Sequence, residues 1–147
     1  MGIISRFPAG ATKPYIEEIY NSAGQLIDAK MYGYKAIRDG AFSDCTSLAL
    51  TTLPIGITNI GNRVFLNCTS LALTTLPSGI TNIGDGAFSN CSSLVSLTFE
   101  GTPESIGSSA FYGCSNLTTI NVPWAEGAVA NAPWGATNAT ITYGYTG

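Results

Sequence analysis

Histidine is absent from the 147 residues of this chain. That absence removes Ser-His-Asp and Cys-His nucleophile arrangements, in which an imidazole carries the proton, and every zinc site with an imidazole ligand. Charge is scarce as well. Asp, Glu, Lys and Arg make up 10% of the residues, whereas typical soluble domains carry about 25%. Cations are scarcest of all. Arg6, Lys13, Lys30, Lys35 and Arg38 lie near the start, the sixth is Arg63, and from Val64 to Gly147 there is none. Binding to nucleic-acid phosphates or to an anionic membrane needs clustered cations, so neither partner is expected. No apolar run approaches the roughly 18 residues of a membrane span, and no membrane insertion is expected. Residues 1–8 lack a basic stretch followed by an apolar one, and read as no secretory signal. No glycine-rich loop with a lysine is present to cradle a phosphate. No cofactor and no metal are expected.

What is present is apolar and repetitive. Hydrophobic residues account for 45% of the chain, enough for a core, and Ser, Thr, Asn and Gly supply the wetted surface in place of charge. Four columns recur at a spacing of 23 without insertion: Cys45, Cys68, Cys91 and Cys114; Phe42, Phe65, Phe88 and Phe111; Ile37, Ile60, Ile83 and Ile106; Leu48, Leu71, Leu94 and Leu117. Leu53, Leu76, Phe99 and Val122 form a fifth column. Residues 45–61 and 68–84 differ only at Ile55 against Ser78, which points to duplication. A repeat of this length cannot bury its apolar face alone, so stacked coils are expected.

Each column has a physical role. Leu97 and Phe99, and Ile120 and Val122 one coil later, read as the inward residues of a short strand. In the first two coils Thr51 and Thr74 hold the matching inner position, unless a local shift buries Leu50 and Leu73 instead. A second strand is expected at 57–60 and 80–83. Asp39, Asn62, Asp85 and Ser108 are N-cap types ahead of Ala-Phe or Val-Phe, and predict one helical turn per coil. Asp44, Asn67, Asn90 and Gly113 tolerate the left-handed conformation that ends such a turn.

The pattern Ile-Gly-x-x-Ala-Phe-x-x-Cys-x-x-Leu, with Pro54, Pro77 or Pro123 after the strand, resembles the BspA-type leucine-rich repeat. The resemblance covers residues 34–123. It departs at Arg38, where the pattern has Gly, and at Glu100, where it has Pro. It implies a curved α/β leucine-rich-repeat solenoid with a strand-lined face, and roles in bacterial surface adhesion. It implies no catalytic residues.

An open solenoid exposes its core at both ends. Residues 1–33 are read as an N-terminal arm and a capping β-hairpin, with strands at 15–21 and 26–32 around the turn Ser22-Ala23-Gly24-Gln25. Residues 34–123 are the four-coil solenoid. Residues 124–147 are read as leaving the repeat to form a β-containing C-terminal cap, which resembles, without a defining motif, terminal modules of phage structural proteins. This segment holds Trp124 and Trp134. Both suit a lid over the last coil, and both suit a contact with a ligand or subunit.

The reactive-looking residues have plainer explanations. Four cysteines one rung apart span roughly 14 Å, and cannot converge on a zinc that needs each sulfur about 2.3 Å away. They are expected as free buried thiols. Glu100 and Glu104 flank an unusual loop but belong to no acid/base motif. The sequons at Asn67, Asn90, Asn116 and Asn138 follow from turn chemistry. Thr52, Thr75, Thr98 and Asn121 form an outward row on the strands and are candidate contact residues. Threonine suits an exposed strand in any case.

The reading that follows is a binding or structural scaffold and not an enzyme. The first expectation is a phage virion component, a capsid decoration or tail-associated protein. Its motive is an adhesive, low-charge repeat without an export signal. The alternative is a cell-surface or secreted bacterial adhesin module that binds a host protein or a glycan. Either way the partner is protein or glycan, and several copies in an oligomer or array would gain by avidity.

Overall fold

The computed structural model describes residues 2–5 and 14–147, the first four by main chain only. Eleven strands are assigned and no helix is present among the described residues. β1 (Gly2–Ser5), β2 (Tyr15–Tyr20) and β3 (Leu26–Tyr32) form an antiparallel sheet in chain order. The hairpin β2–β3 turns at Asn21–Gln25, where Asn21 Oδ1 accepts from the amides of Ala23 and Gln25 and Gly24 takes a φ of 80°. The sequence placed an arm in residues 1–13. Within it, residues 2–5 add a third strand, Gly2 opposite Tyr20 and Ser5 opposite Glu17, and residues 6–13 lie outside the described residues.

From Tyr34 the chain winds as a solenoid with two parallel ladders. The isoleucine ladder stacks β4 (Ala36–Ile37), β5 (Asn59–Ile60), β7 (Asn82–Ile83) and β9 (Ser105–Ile106), each in register with the next at the repeat spacing. The leucine ladder stacks β6 (Thr75–Leu76), β8 (Ser96–Phe99), β10 (Thr119–Asn121) and β11 (Thr140–Thr142). Between the ladders lies one continuous core that includes Leu48, Leu71, Leu94 and Leu117, all fully buried. In the first two coils Leu50 and Leu73 are buried and Thr51 and Thr74 are exposed, so the chain takes the shifted alternative there. The shift leaves a polar Thr outside and a Leu inside, which burial of apolar area favours.

The expected helical turn is corrected to a series of isolated turns. In the first coil the amides of Ala41, Ser43 and Cys45 bond three residues back, to Arg38, Gly40 and Phe42. The intervening amides of Gly40, Phe42 and Asp44 bond instead to Asn62, Val64 and Leu66 of the next coil. Every second amide is thus taken by stacking, and no helix can propagate through it. Asp44, Asn67, Asn90 and Gly113 do adopt left-handed φ values of 60–76° as expected.

The cap residues are also redirected. Asp39 Oδ1 accepts from the amide of Asn62, and Asn62 Oδ1 from the amide of Asp85, at 2.8 and 2.9 Å. They cap the following coil and not their own turn. Gly61, Gly84 and Gly107 sit against this row. A Cβ on Gly84 would stand 2.7 Å from the Asn62 main-chain nitrogen, and one on Gly107 would stand 2.7 Å from that of Asp85. The column is glycine for want of space. Arg38 is exposed and has no coil before it, which accounts for its departure from the pattern.

Four phenylalanines form a stack through the turn side of the core. Phe42, Phe65, Phe88 and Phe111 have centroids 5.3–5.6 Å apart and planes within 17° of parallel. Phe111 meets Phe99 edge-on at 6.5 Å, and Phe99 in turn meets Trp134 at 6.2 Å. The β-containing segment expected at 124–147 adds to the leucine ladder as a shortened fifth coil. β11 pairs with β10 in parallel, Ile120 opposite Ile141, at an offset of 21 instead of 23. Ala136 and Ala139 repeat the turn bonds that Cys114 and Leu117 make.

Candidate functional site

Most polar columns of the solenoid are consumed internally. On the outer side of the isoleucine ladder, Asn82 Nδ2 donates to Asn59 Oδ1 at 2.7 Å, and the Ser105 hydroxyl donates to Asn82 Oδ1. At the turn, Asn67 donates to Asp44 and Asn90 to Asn67, at 2.7 and 2.9 Å. The thiols of Cys68, Cys91 and Cys114 donate to the carbonyls of Phe42, Phe65 and Phe88 in the preceding coil, at 3.0–3.1 Å. All four cysteines are free. Burial pushes the Cys68 thiol up to about 12, with the neighbouring Cys45 adding to it, and pushes Cys114 up to about 11. Cys91 is raised too, by burial first and by the cysteines on either side second. Such thiols stay protonated and are poor nucleophiles and ligands. Among the described residues no group of His, Cys, Asp or Glu is placed to hold a metal.

The outer face of the leucine ladder is different. Thr75 stands opposite Thr98, and Thr98 opposite Asn121, which stands opposite Thr142. A second row runs from Ser96 through Thr119 to Thr140. Thr52 is exposed, while Thr75, Thr98 and Asn121 are half-buried in the ladder. Asn121 donates to Thr98 Oγ1 at 3.2 Å. The hydroxyls of Thr52, Thr75, Ser96, Thr119, Thr140 and Thr142 have no hydrogen-bond partner among the described residues. The structure therefore sets Thr75, Thr98 and Asn121 side by side and adds Thr142 to them, while Thr52 lies one repeat before Thr75 outside the paired strands.

The two tryptophans go elsewhere. Trp134 is 0% exposed and Trp124 6%. With Phe99 they form an edge-to-face cluster, at 5.2 Å for Phe99–Trp124 and 6.0 Å for Trp124–Trp134. Trp134 Nε1 donates to the carbonyl of Ala130 at 2.8 Å, whereas Trp124 Nε1 is buried without a partner. Both indoles lie inside the fifth coil, and neither reaches a partner unless that coil opens. Glu100 and Glu104 are exposed and line neither of the grooves described next.

Two grooves flank the hairpin. One, about 740 Å³, opens where a coil before the first would stack, over Ile37 and Phe42, with Ile16, Met31, Lys35 and Arg38 around it. The other, about 290 Å³, lies between β3 and the first coil's segment 49–54. Sequence reasoning missed it. The signal was available in the alternation of β3, which puts Ala29 and Met31 inside and leaves Lys30 and Tyr32 outside.

A family model, the BspA type leucine rich repeat region, matches residues 27–128 in six copies, and the chain belongs to that family. Among solved structures, a leucine-rich repeat protein from Bacteroides ovatus is similar at 28% identity and a TM-score of 0.70, over 84% of this chain and 31% of that one. A leucine rich cell surface protein from Faecalibacterium prausnitzii shares the fold at 23% identity and a TM-score of 0.55, over 95% of this chain and 42% of that one. The chain thus spans less than half the length of either protein. No curated protein matches the sequence. No helix among the described residues is long and apolar enough to cross a membrane.

Proposed function

We propose that this chain is a non-catalytic adhesive module, presented outside the cell, that holds a macromolecular partner on the outer face of its leucine ladder. The observation that carries this is the contrast between faces. Polar side chains on the isoleucine ladder and at the turns hydrogen-bond one another from coil to coil, while the hydroxyls of the leucine ladder are left for something else. Rigid strands hold them at a fixed spacing, so little ordering entropy is lost on binding. Thr52, Thr75, Thr98 and Asn121 are the contacts on this reading. The partner is a protein or a glycan and not a nucleic acid, since Arg63 is the last cation in the chain.

The similarity to a bacterial cell-surface protein supports a surface setting. The virion reading drew on low charge and on the first eight residues. Because the chain spans 31% and 42% of the two similar proteins, those residues say nothing of export, and low charge alone supports a virion role. Several copies on one surface would add avidity in either setting.

The test is retention of cells or matrix on beads that carry the chain. Beads with the unaltered chain are expected to retain them. Beads with Thr75→Arg and Thr98→Arg are not, and a turn-side change such as Tyr112→Ala should leave retention intact. Retention that survives both arginines would refute the assignment to this face.

A further inference from the structure

The groove beside β3 lies at one end of the threonine rows, and the two features share an outer face. Asp28, Lys30 and Tyr32 project from β3 on that face, since Ala29 and Met31 between them are buried. Tyr32 is 40% exposed and its ring stacks on that of Tyr15 at 4.6 Å and 18°. Across the groove stand Thr51 and Thr52, the latter one repeat before Thr75, where the paired row through Thr98, Asn121 and Thr142 begins. The groove opens because β3 makes a single main-chain bond to the first coil among the described residues, from the amide of Ala49 to the carbonyl of Ile27.

We propose that this groove and the rows beyond it form a binding site for a neutral polysaccharide lying along the solenoid axis. The inference rests on the proposed binding role of the leucine-ladder face and names its ligand class. The terminal sugar ring sits with its apolar face on Tyr32, a rigid aromatic surface backed by Tyr15. The Asp28 carboxylate accepts hydrogen bonds from sugar hydroxyls, and such charge-assisted bonds are the stronger kind. Thr51 and Thr52 supply donors and acceptors opposite. A groove of about 290 Å³ is small, near the lower end for ligand pockets, and suits one or two sugar rings.

The periodicity argues for a chain over a lone sugar. Parallel rungs recur every ~4.8 Å along the axis. An extended glycan advances by nearly one rung per ring, so each ring meets a fresh Thr, Ser or Asn. A peptide strand seeks main-chain partners parallel to the rungs, and along the axis it would find side chains only. Neutrality follows from the face itself. Beyond the groove the rows hold Thr, Ser and Asn without a charge, and within it Lys30 stands with Asp28, so along the rows an anionic glycan would find no cation to offset its desolvation.

Affinity electrophoresis of the full chain through gels containing neutral glucans, xylan or mannan, or anionic polygalacturonate or heparin, tests this. At least one neutral polysaccharide should retard the chain. Tyr32→Ala should weaken that binding by about tenfold or more, a loss that is large on the affinity scale. Tyr32→Phe should keep it, and Thr98→Arg should abolish it with an unchanged far-UV spectrum. Tyr112→Ala is the control. Retardation by anionic glycans alone, no retardation by any neutral one, or neutral binding indifferent to both Tyr32→Ala and Thr98→Arg would overturn the proposal. If the beads described above still retain cells through this face while no neutral glycan binds, the ligand class fails and the binding face stands. Capture of an extended peptide by Tyr32 and Thr52 would likewise overturn it.

Discussion

The thiol of Cys91 donates to the main-chain oxygen of Phe65, one coil back, at 3.1 Å. Cys68 and Cys114 repeat the bond, and Cys45, half-buried in the first coil, makes none among the described residues. The cysteine column is therefore a hydrogen-bonding column between coils. Cys91→Ala removes the donor, leaves the Phe65 carbonyl with the Cys68 amide alone, and opens a small void. We expect a loss of about 0.5–2 kcal/mol in urea unfolding, one net hydrogen bond plus a small cavity. Cys45→Ala should cost about 0.5 kcal/mol or less, in the range of changes that break no buried feature.

Raised thiol values also set a pH dependence. In the unfolded chain these thiols titrate near the ordinary 9.0, whereas burial holds Cys114 up at about 11 and Cys68 at about 12 in the folded state. Above pH 9.0 the unfolded state binds fewer protons, so stability falls as pH rises towards 11 and 12, and is unaffected by these groups below 9.0. Urea midpoints measured from pH 8 upward should decline, and a Cys68→Ala, Cys91→Ala, Cys114→Ala variant should decline less steeply. A thiol reagent at pH 8 should label Cys45 first and the other three only on unfolding.

Gly84 and Arg38 occupy the same column and should respond oppositely. Gly84→Ala drives a Cβ into the main chain of Asn62 and should destabilise by about 1–3 kcal/mol, the usual cost of overpacking. Arg38→Gly restores the pattern at a position with nothing packed before it, and should stay within about 0.5 kcal/mol of the unaltered chain. Equal effects at the two sites would contradict the stacking account.

The tryptophans can be separated by a milder change. Trp134→Phe forfeits the part-buried bond to the Ala130 carbonyl, while Trp124→Phe removes a buried N–H that has no partner. The first should cost about 0.5–1.5 kcal/mol more than the second, the net worth of a typical hydrogen bond. Both indoles should emit at short wavelength and resist acrylamide quenching in the folded protein.

The repeat, its inward columns and the hairpin were legible because stacking demands the same residue at the same place in each coil, as Phe42, Phe65, Phe88 and Phe111 show. The fifth coil was hidden for the complementary reason. Its strand offset shortens to 21, and Pro133, Ala136 and Ala139 stand at the Phe, Cys and Leu positions of the turn bonds, since the last coil has no successor to bond. Cap types at Asp39 and Asn62 were read correctly as residues that accept an amide, but the amide belongs to the neighbouring coil, and a one-dimensional pattern carries no information on which coil that is. The threonine row was visible. The groove beside it depends on where β3 parts from the first coil, which no local propensity encodes.

The space denied to a side chain beneath each glycine also fixes where this solenoid can lengthen. A whole rung can enter between any two existing rungs, because Gly meets Asp or Asn on both sides of the cut. A rung placed before the first would meet Arg38, and one placed after the fifth would meet a truncated coil sealed by indoles. Growth is therefore interstitial. The near-identity of residues 45–61 and 68–84 is the trace such growth leaves, and it means the length of the outer face can change in steps of one rung while both closures stay as they are.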